Sequence, residues 1–146
     1  MDRATKDALK SKILAKLSAP NTLCVLATVT EDGKPWARYV TPFADNDLTI
    51  WLATFANSRK VAHIRKNPEV HLTTGVTDPR ISMPYLQIQG RADVLNDRET
   101  KKAAWSDYLS QIFSGPDDPN YVVCRITPYR IEWRPDAPGT PEVWEP

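Results

Sequence analysis

The chain has 146 residues, a formal net charge of +1 at neutral pH, 41% hydrophobic residues and only five glycines. This length fits one domain with its own core, and the balanced charge excludes a global electrostatic footprint for nucleic acid or acidic membranes. The apolar runs are too short to span a bilayer, and the glycine-rich phosphate loops GxGxxG and GxxxxGK(S/T) are absent. The polar, basic beginning of the sequence lacks an apolar signal core, so a cytoplasmic protein is expected. Cys24 and Cys124 lie in separate apolar segments. Two lone cysteines make neither a disulfide framework nor a zinc site, so buried thiols and no metal are expected.

In chain order, residues 4–17 read as an amphipathic helix. Leu9, Ile13, Leu14 and Leu17 share one face, Lys6, Lys10, Lys12 and Lys16 the other. Ala19, Pro20 and Asn21 end it. Residues 22–30 form an apolar, β-branched strand. Glu31 to Lys34 make a hairpin turn, with Asp32 and Gly33 at the positive-φ positions, and residues 35–44 form the partner strand. A turn at 45–47 leads to a strand at 48–54. A short helix at 58–66 stops at Asn67 and Pro68, and a strand covers 69–75. Residues 76–84 form a loop, and 85–95 a long strand bent or bulged at Gly90. Asn96 and Glu99 read as a capping box opening a helix over 97–113, with Ala104, Trp105, Tyr108, Leu109, Ile112 and Phe113 on its apolar side. Two more strands follow, at 121–127 and 129–134. The tail holds four prolines counted from Pro135 and is expected to be extended beyond it. The domain division is therefore residues 1–135, a β domain, and 136–146, a Pro-rich extended tail. Six or seven strands joined by short turns, with helices at the connections, predict a mainly β (α+β) antiparallel barrel with peripheral helices. A barrel of this size is filled by its own side chains, so a large ligand must sit on its rim or between two copies.

The helix at 58–66 carries the chemistry. Ser58 is its N-cap, and Arg59 and Lys60 fill its first turn, where the helix already carries partial positive charge. Acidic residues are the usual occupants. Cations there make sense when an anion docks on the free N–H groups, the Ser58 hydroxyl and the two side chains. No Asp or Glu occurs between Asp47 and Glu69, while Arg59, Lys60, Arg65 and Lys66 concentrate a local +4. The pattern predicts a phosphate site. His63 on this helix and His71 on a strand have no partner at catalytic spacing, and no catalytic residue is assigned.

The segments Leu26-Ala-Thr-Val29, Asp32-Gly-Lys-Pro35, Arg38-Tyr-Val-Thr-Pro-Phe43, Leu52-Ala-Thr54 before Ser58-Arg-Lys60, Asn67-Pro-Glu-Val70, Gln87-Ile-Gln-Gly-Arg-Ala92 and Pro128-Tyr-Arg-Ile-Glu-Trp133 occur in this order. Together they resemble the pyridoxamine 5′-phosphate oxidase-like flavoproteins of the FMN-binding split-barrel fold, above all their short, general-stress-protein-like members. The resemblance implies a homodimer with FMN at the subunit interface. By matching position, Arg38, Tyr39, Val40 and Thr41, continuing to Phe43, would line the flavin ring and ribityl chain, partly through backbone groups. Thr54, Ser58, Arg59 and Lys60 would hold the 5′-phosphate. Tyr85 or Gln87 of the second subunit would reach the ring or phosphate, and Trp133 would sit near the flavin edge. The chain departs from the true oxidases. Phe43 stands where they carry a basic residue, no Arg/Ser-rich segment follows Gly90, and the basic C-terminal motif is replaced by 135–146. Pyridoxamine phosphate oxidation is not expected.

The expected function is that of a flavin-dependent oxidoreductase acting on an unidentified small molecule. A deazaflavin-dependent reductase, or a non-catalytic flavin-binding stress or sensor protein, are alternatives. A single-strand nucleic-acid binder using Trp36, Trp51 or Trp133 fits the neutral charge poorly. Neither nucleic acid nor membrane is an expected partner.

Overall fold

In a computed structural model, residues 1–19, 22–75, 78–80, 84–135 and 139–146 are described. The helix stop at Pro20 and Asn21, most of the loop at 76–84, and tail residues 136–138 lie outside them. The strands are β1 (Cys24–Val29), β2 (Pro35–Val40), β3 (Phe43–Ala44), β4 (Ile50–Phe55), β5 (Glu69–Thr74), β6 (Tyr85–Leu95), β7 (Tyr121–Arg134) and β8 (Glu142–Trp144). The helices are α1 (Arg3–Leu17), α2 (Arg59–Lys66) and α3 (Arg98–Ala103).

All eight strands join one antiparallel sheet in the order β2-β1-β5-β6-β7-β4-β3, with β8 on β7. The two ends of this order, β2 and β3, are separated in the chain only by Thr41 and Pro42. A sheet whose first and last strands are neighbours in sequence must curl back on itself. It stays split because β2 and β3 share no ladder. The expected single strand at 35–44 is thus two strands. Pro42, which has no N–H to donate, lies where the chain leaves one rim for the other.

Inside the barrel, alternate residues of each strand pack together: Cys24 and Leu26, Ile50 and Leu52, Val70 and Leu72, Leu86 and Ile88, with Ile126 and Ile131. Helix α1 adds Leu9, Ile13 and Leu17, and α2 adds Val61 and Ile64. A second cluster lies on the outer face, where Ala104, Leu109 and Phe113 cover Tyr121 and Val123. The first four residues of β7 are therefore buried on both faces. This cover is not the continuous helix expected at 97–113. Helix α3 ends at Ala103 with Ala104 as its C-cap, Ser106 turns extended (φ −134°, ψ 157°), and a 3-10 turn spans Asp107–Gln111. Breaking the helix lets Trp105, Leu109 and Phe113 all reach the Tyr121 neighbourhood. The N-cap is Asp97, one residue later than Asn96, and its carboxylate accepts from Thr100 N at 3.0 Å.

In the first hairpin only Gly33 has positive φ (82°); Asp32 does not. Strand β6 bulges as expected, between Gln89 and Gly90, where Gly90 faces Pro128. A Cβ at Gly90 would stand 3.0 Å from the Thr127 carbonyl oxygen. Pro128 sits at this irregularity and does not divide the strand, so the two strands expected at 121–127 and 129–134 are one.

Part of the tail, expected to be extended, belongs to the sheet. Glu142–Trp144 pairs with Ile131–Trp133, and Trp144 is buried. Lys12 holds Glu142 at 2.8 Å and lies over the Trp133 ring. Trp144→Ala is expected to cost about 3 kcal/mol, read as a lower urea midpoint at unchanged m-value. A change below about 0.5 kcal/mol would show that β8 carries no stability.

Candidate functional site

Two threonines occupy inner-facing strand positions that apolar residues fill elsewhere in the barrel. Thr28 follows Cys24 and Leu26 on β1, and Thr54 follows Ile50 and Leu52 on β4; both are buried. Their hydroxyls meet α2. Lys60 donates from Nζ to Thr54 Oγ1 at 2.8 Å, and Ser58 Oγ lies 3.4 Å from the same oxygen. Thr28 Oγ1 lies 2.8 Å from His63 Nδ1. From β2, Arg38 donates through Nη1 to Thr28 Oγ1 at 2.7 Å. Arg59 stands over the Trp36 ring, 5.4 Å from its centroid.

Arg38, Arg59 and Lys60 thus gather at the start of α2. None of the three forms an ion pair with a carboxylate among the described residues. Arg38 Nη2 is buried without a partner. Burial and then the charge of Arg59 push the Arg38 pKa down; burial and then Arg38 do the same to Lys60. Ser58 occupies the N-cap position but does not cap with its side chain. The first helical bond back to it comes from Ala62. The N–H groups of the first turn are left without side-chain caps, as an anion would require. The helix C-terminus differs. Arg65 and Lys66 lie there, where cations suit the dipole, and Lys66 pairs with Glu31 at 3.0 Å.

Arg38, Thr54, Ser58, Arg59 and Lys60, five of the residues singled out in the sequence, therefore come together. Tyr39 is 73% exposed, whereas the Val40 side chain is in the core, so only its backbone is available to a ligand. Thr41 lies on the split between β2 and β3 and lines a cleft of about 700 Å³. Tyr85, Gln87 and Trp133 lie in other neighbourhoods of the same protomer. Tyr85 pairs with Arg134, Gln87 lines a polar hollow with His71, Gln89, Arg130 and Glu132, and Trp133 lies beneath Lys12. Thr28 and His63 were not assigned from the sequence. A polar residue at the buried phase of β1, and a histidine one turn after Lys60, are the signals that point to them.

Lys60 carries a prediction for the ligand-free protein. Its pKa is lowered in the fold, so the unfolded chain binds more protons just below the ordinary lysine range, and stability rises with pH there. Lys60→Met should raise the ligand-free Tm by about 2 °C and flatten that rise. A lower Tm for the variant would show that the charge is already compensated.

The chain matches the family described as Pyridoxamine 5′-phosphate oxidase over residues 9–133. It is 36% identical over 133 residues to General stress protein 26 of Bacillus subtilis (strain 168), covering 91% of this chain and 93% of that protein. A 53-residue segment is 45% identical to the pyridoxine/pyridoxamine 5′-phosphate oxidase of Blochmanniella floridana, covering 36% of this chain and 24% of that one. The crystal structure of General Stress Protein 26 from Bacillus anthracis superposes with a TM-score of 0.78 at 29% identity, covering 94% of this chain and 98% of that chain. The split barrel, the sequence match and the fold likeness agree: this chain belongs to the pyridoxamine 5′-phosphate oxidase family.

Proposed function

We propose that the protein is a cytoplasmic, homodimeric FMN-binding oxidoreductase. The observation that carries this reading is the convergence of Arg38, Arg59 and Lys60, without a carboxylate, on an uncapped helix start. The donor set suits a phosphate monoester. It offers two guanidiniums, an ammonium, two hydroxyls at Thr54 and Ser58, and free N–H groups. The buried, unpartnered Arg38 Nη2 is a donor such a ligand would engage. These residues would hold the 5′-phosphate, while the split at Thr41 to Phe43 would flank the ring. FMN bound there would supply two-electron redox chemistry, and the protein would supply binding, orientation and water exclusion.

The homodimer is supported by β2. Among the described residues this strand pairs only with β1, and five of its six residues are exposed or half-buried, among them Trp36 and Tyr39. An exposed aromatic edge strand is ordinarily covered. No described helix is long and apolar enough to cross a membrane.

The substrate is read from the cleft of about 700 Å³, which Thr41, Phe43, Ala53, Ala103, Trp105 and Tyr108 help to line. Among the described residues no charged side chain lines it, and residues from the C-terminal ends of α1 (Leu17, Ser18) and α3 (Ala103, Ala104) border it. Helix C-termini carry partial negative charge, which disfavours a phosphorylated substrate. The cleft suits a neutral aromatic molecule.

The reading is tested by titrating the protein with FMN and with riboflavin, which lacks the phosphate, while following mass by ultracentrifugation. The expected result is FMN bound at least about a hundredfold more tightly, in a dimer of twice 16.5 kDa. Arg59→Ala/Lys60→Ala should erase that preference. Equal affinity for the two flavins would refute the reading. For the substrate, anaerobic pyridoxamine 5′-phosphate should leave the bound flavin oxidised. Ala103→Trp should weaken a neutral quinone about tenfold without changing FMN affinity. Reduction of the flavin by pyridoxamine 5′-phosphate would contradict the assignment.

A further inference from the structure

We infer that Thr28 and His63 are positioning residues for the anion site, locking Arg38 so that one guanidinium nitrogen is held for the ligand. The inference deepens the phosphate reading above and rests on it. Arg38 Nη1 is used up inside the protein: its short bond goes to Thr28 Oγ1 at 2.7 Å, with longer ones to the Trp36 and Leu26 carbonyl oxygens at 3.2 and 3.3 Å. Nη2 has no partner and is buried. The guanidinium is planar and rigid, so anchoring one nitrogen fixes the direction of the other.

The partners of the Thr28 hydroxyl assign its hydrogen-bonding state. Its oxygen accepts from Arg38, so its single O–H must point elsewhere. Two acceptors are in reach: His63 Nδ1 at 2.8 Å and the Trp36 carbonyl oxygen at 3.4 Å. The shorter contact assigns the hydroxyl proton to His63, whose Nδ1 then accepts and whose own proton sits on Nε2. The chain of donation runs Arg38 to Thr28 to His63. It ties β2 to β1 and β1 to α2, the helix that carries Arg59 and Lys60. Thr28 is 1% exposed, so water does not compete for its hydroxyl. Valine would keep the shape and remove the relay, leaving Nη1 without its best acceptor and the guanidinium free to turn.

The test uses Thr28→Val, Thr28→Ser and His63→Ala, each checked for wild-type circular dichroism and dimer mass, with FMN, riboflavin and inorganic phosphate as probes. Thr28→Val is expected to weaken FMN and inorganic phosphate about tenfold and riboflavin hardly at all. Thr28→Ser should bind as wild type. The FMN effect of Thr28→Val should vanish in an Arg38→Ala background, because the two residues act as one unit. Nitrogen-15 NMR of His63 should show the Nε2–H tautomer. Equal loss of FMN and riboflavin affinity, an undiminished effect in the Arg38→Ala background, or a protonated Nδ1 would each overturn the inference. Should Thr28→Val fail to fold, His63→Ala decides it: a drop in the FMN-to-riboflavin preference supports the relay, and no change refutes it. Should wild type bind inorganic phosphate but not prefer FMN, the flavin reading fails alone, and the response of phosphate affinity to Thr28→Val decides the relay.

Discussion

Three cations held together without an acid is the constraint on which the rest of this structure turns. Arg38 comes from the sheet, and Arg59 and Lys60 from the helix that follows β4. Each feels the others or loses hydration, and two of the three have lowered pKa values as a result. Surface charges repelling at such range could swing apart into water. Two of them are held: Arg38 is bonded to Thr28 and Lys60 to Thr54, while Arg59, which is exposed, lies over Trp36. The barrel therefore keeps an unfavourable arrangement of charge, and a bound anion is what would relieve it.

The arrangement depends on how the sheet closes. Because β2 and β3 lie at opposite ends of the strand order yet two residues apart in the chain, the split in the barrel falls at Thr41 and Pro42. The cation cluster at the start of α2 and the cleft beside Phe43 both touch strands flanking that split. One fold feature thus offers two chemically different surfaces, a cationic one and a neutral, aromatic one, which on the proposed reading would take the end of a coenzyme and a planar ring or substrate. The break in the helix after Ala103 sets Trp105, Ser106 and Tyr108 along the neutral side, while Leu109 and Phe113 pack on Tyr121.

What was legible in the sequence was what local pattern decides. Helix α2 was readable because its cap, its charge excess and its proline stop lie within eleven residues of one another. The bulge at Gly90 was readable because glycine mid-strand has few other uses. The helix read over 97–113 went wrong because its apolar spacing persists through Ser106, while the real segment bends to follow the curve of β7. Strand β8 was hidden by prolines on either side of Glu142–Trp144, and its place depends on α1 and β7, both distant in sequence. Thr28 and His63 were hidden for the same reason: they lie thirty-five residues apart, and only closure of the sheet beneath α2 makes them partners.

On the proposed reading, this cluster exists to neutralise a phosphate dianion. Phosphorus-31 NMR of FMN on the protein, followed as pH is lowered, tests it directly. A free phosphate monoester takes up its proton near pH 6. Held by Arg38, Arg59 and Lys60, it should stay dianionic, with an unchanged chemical shift, to at least about one pH unit lower. A bound phosphate that titrates as it does in free solution would contradict the account.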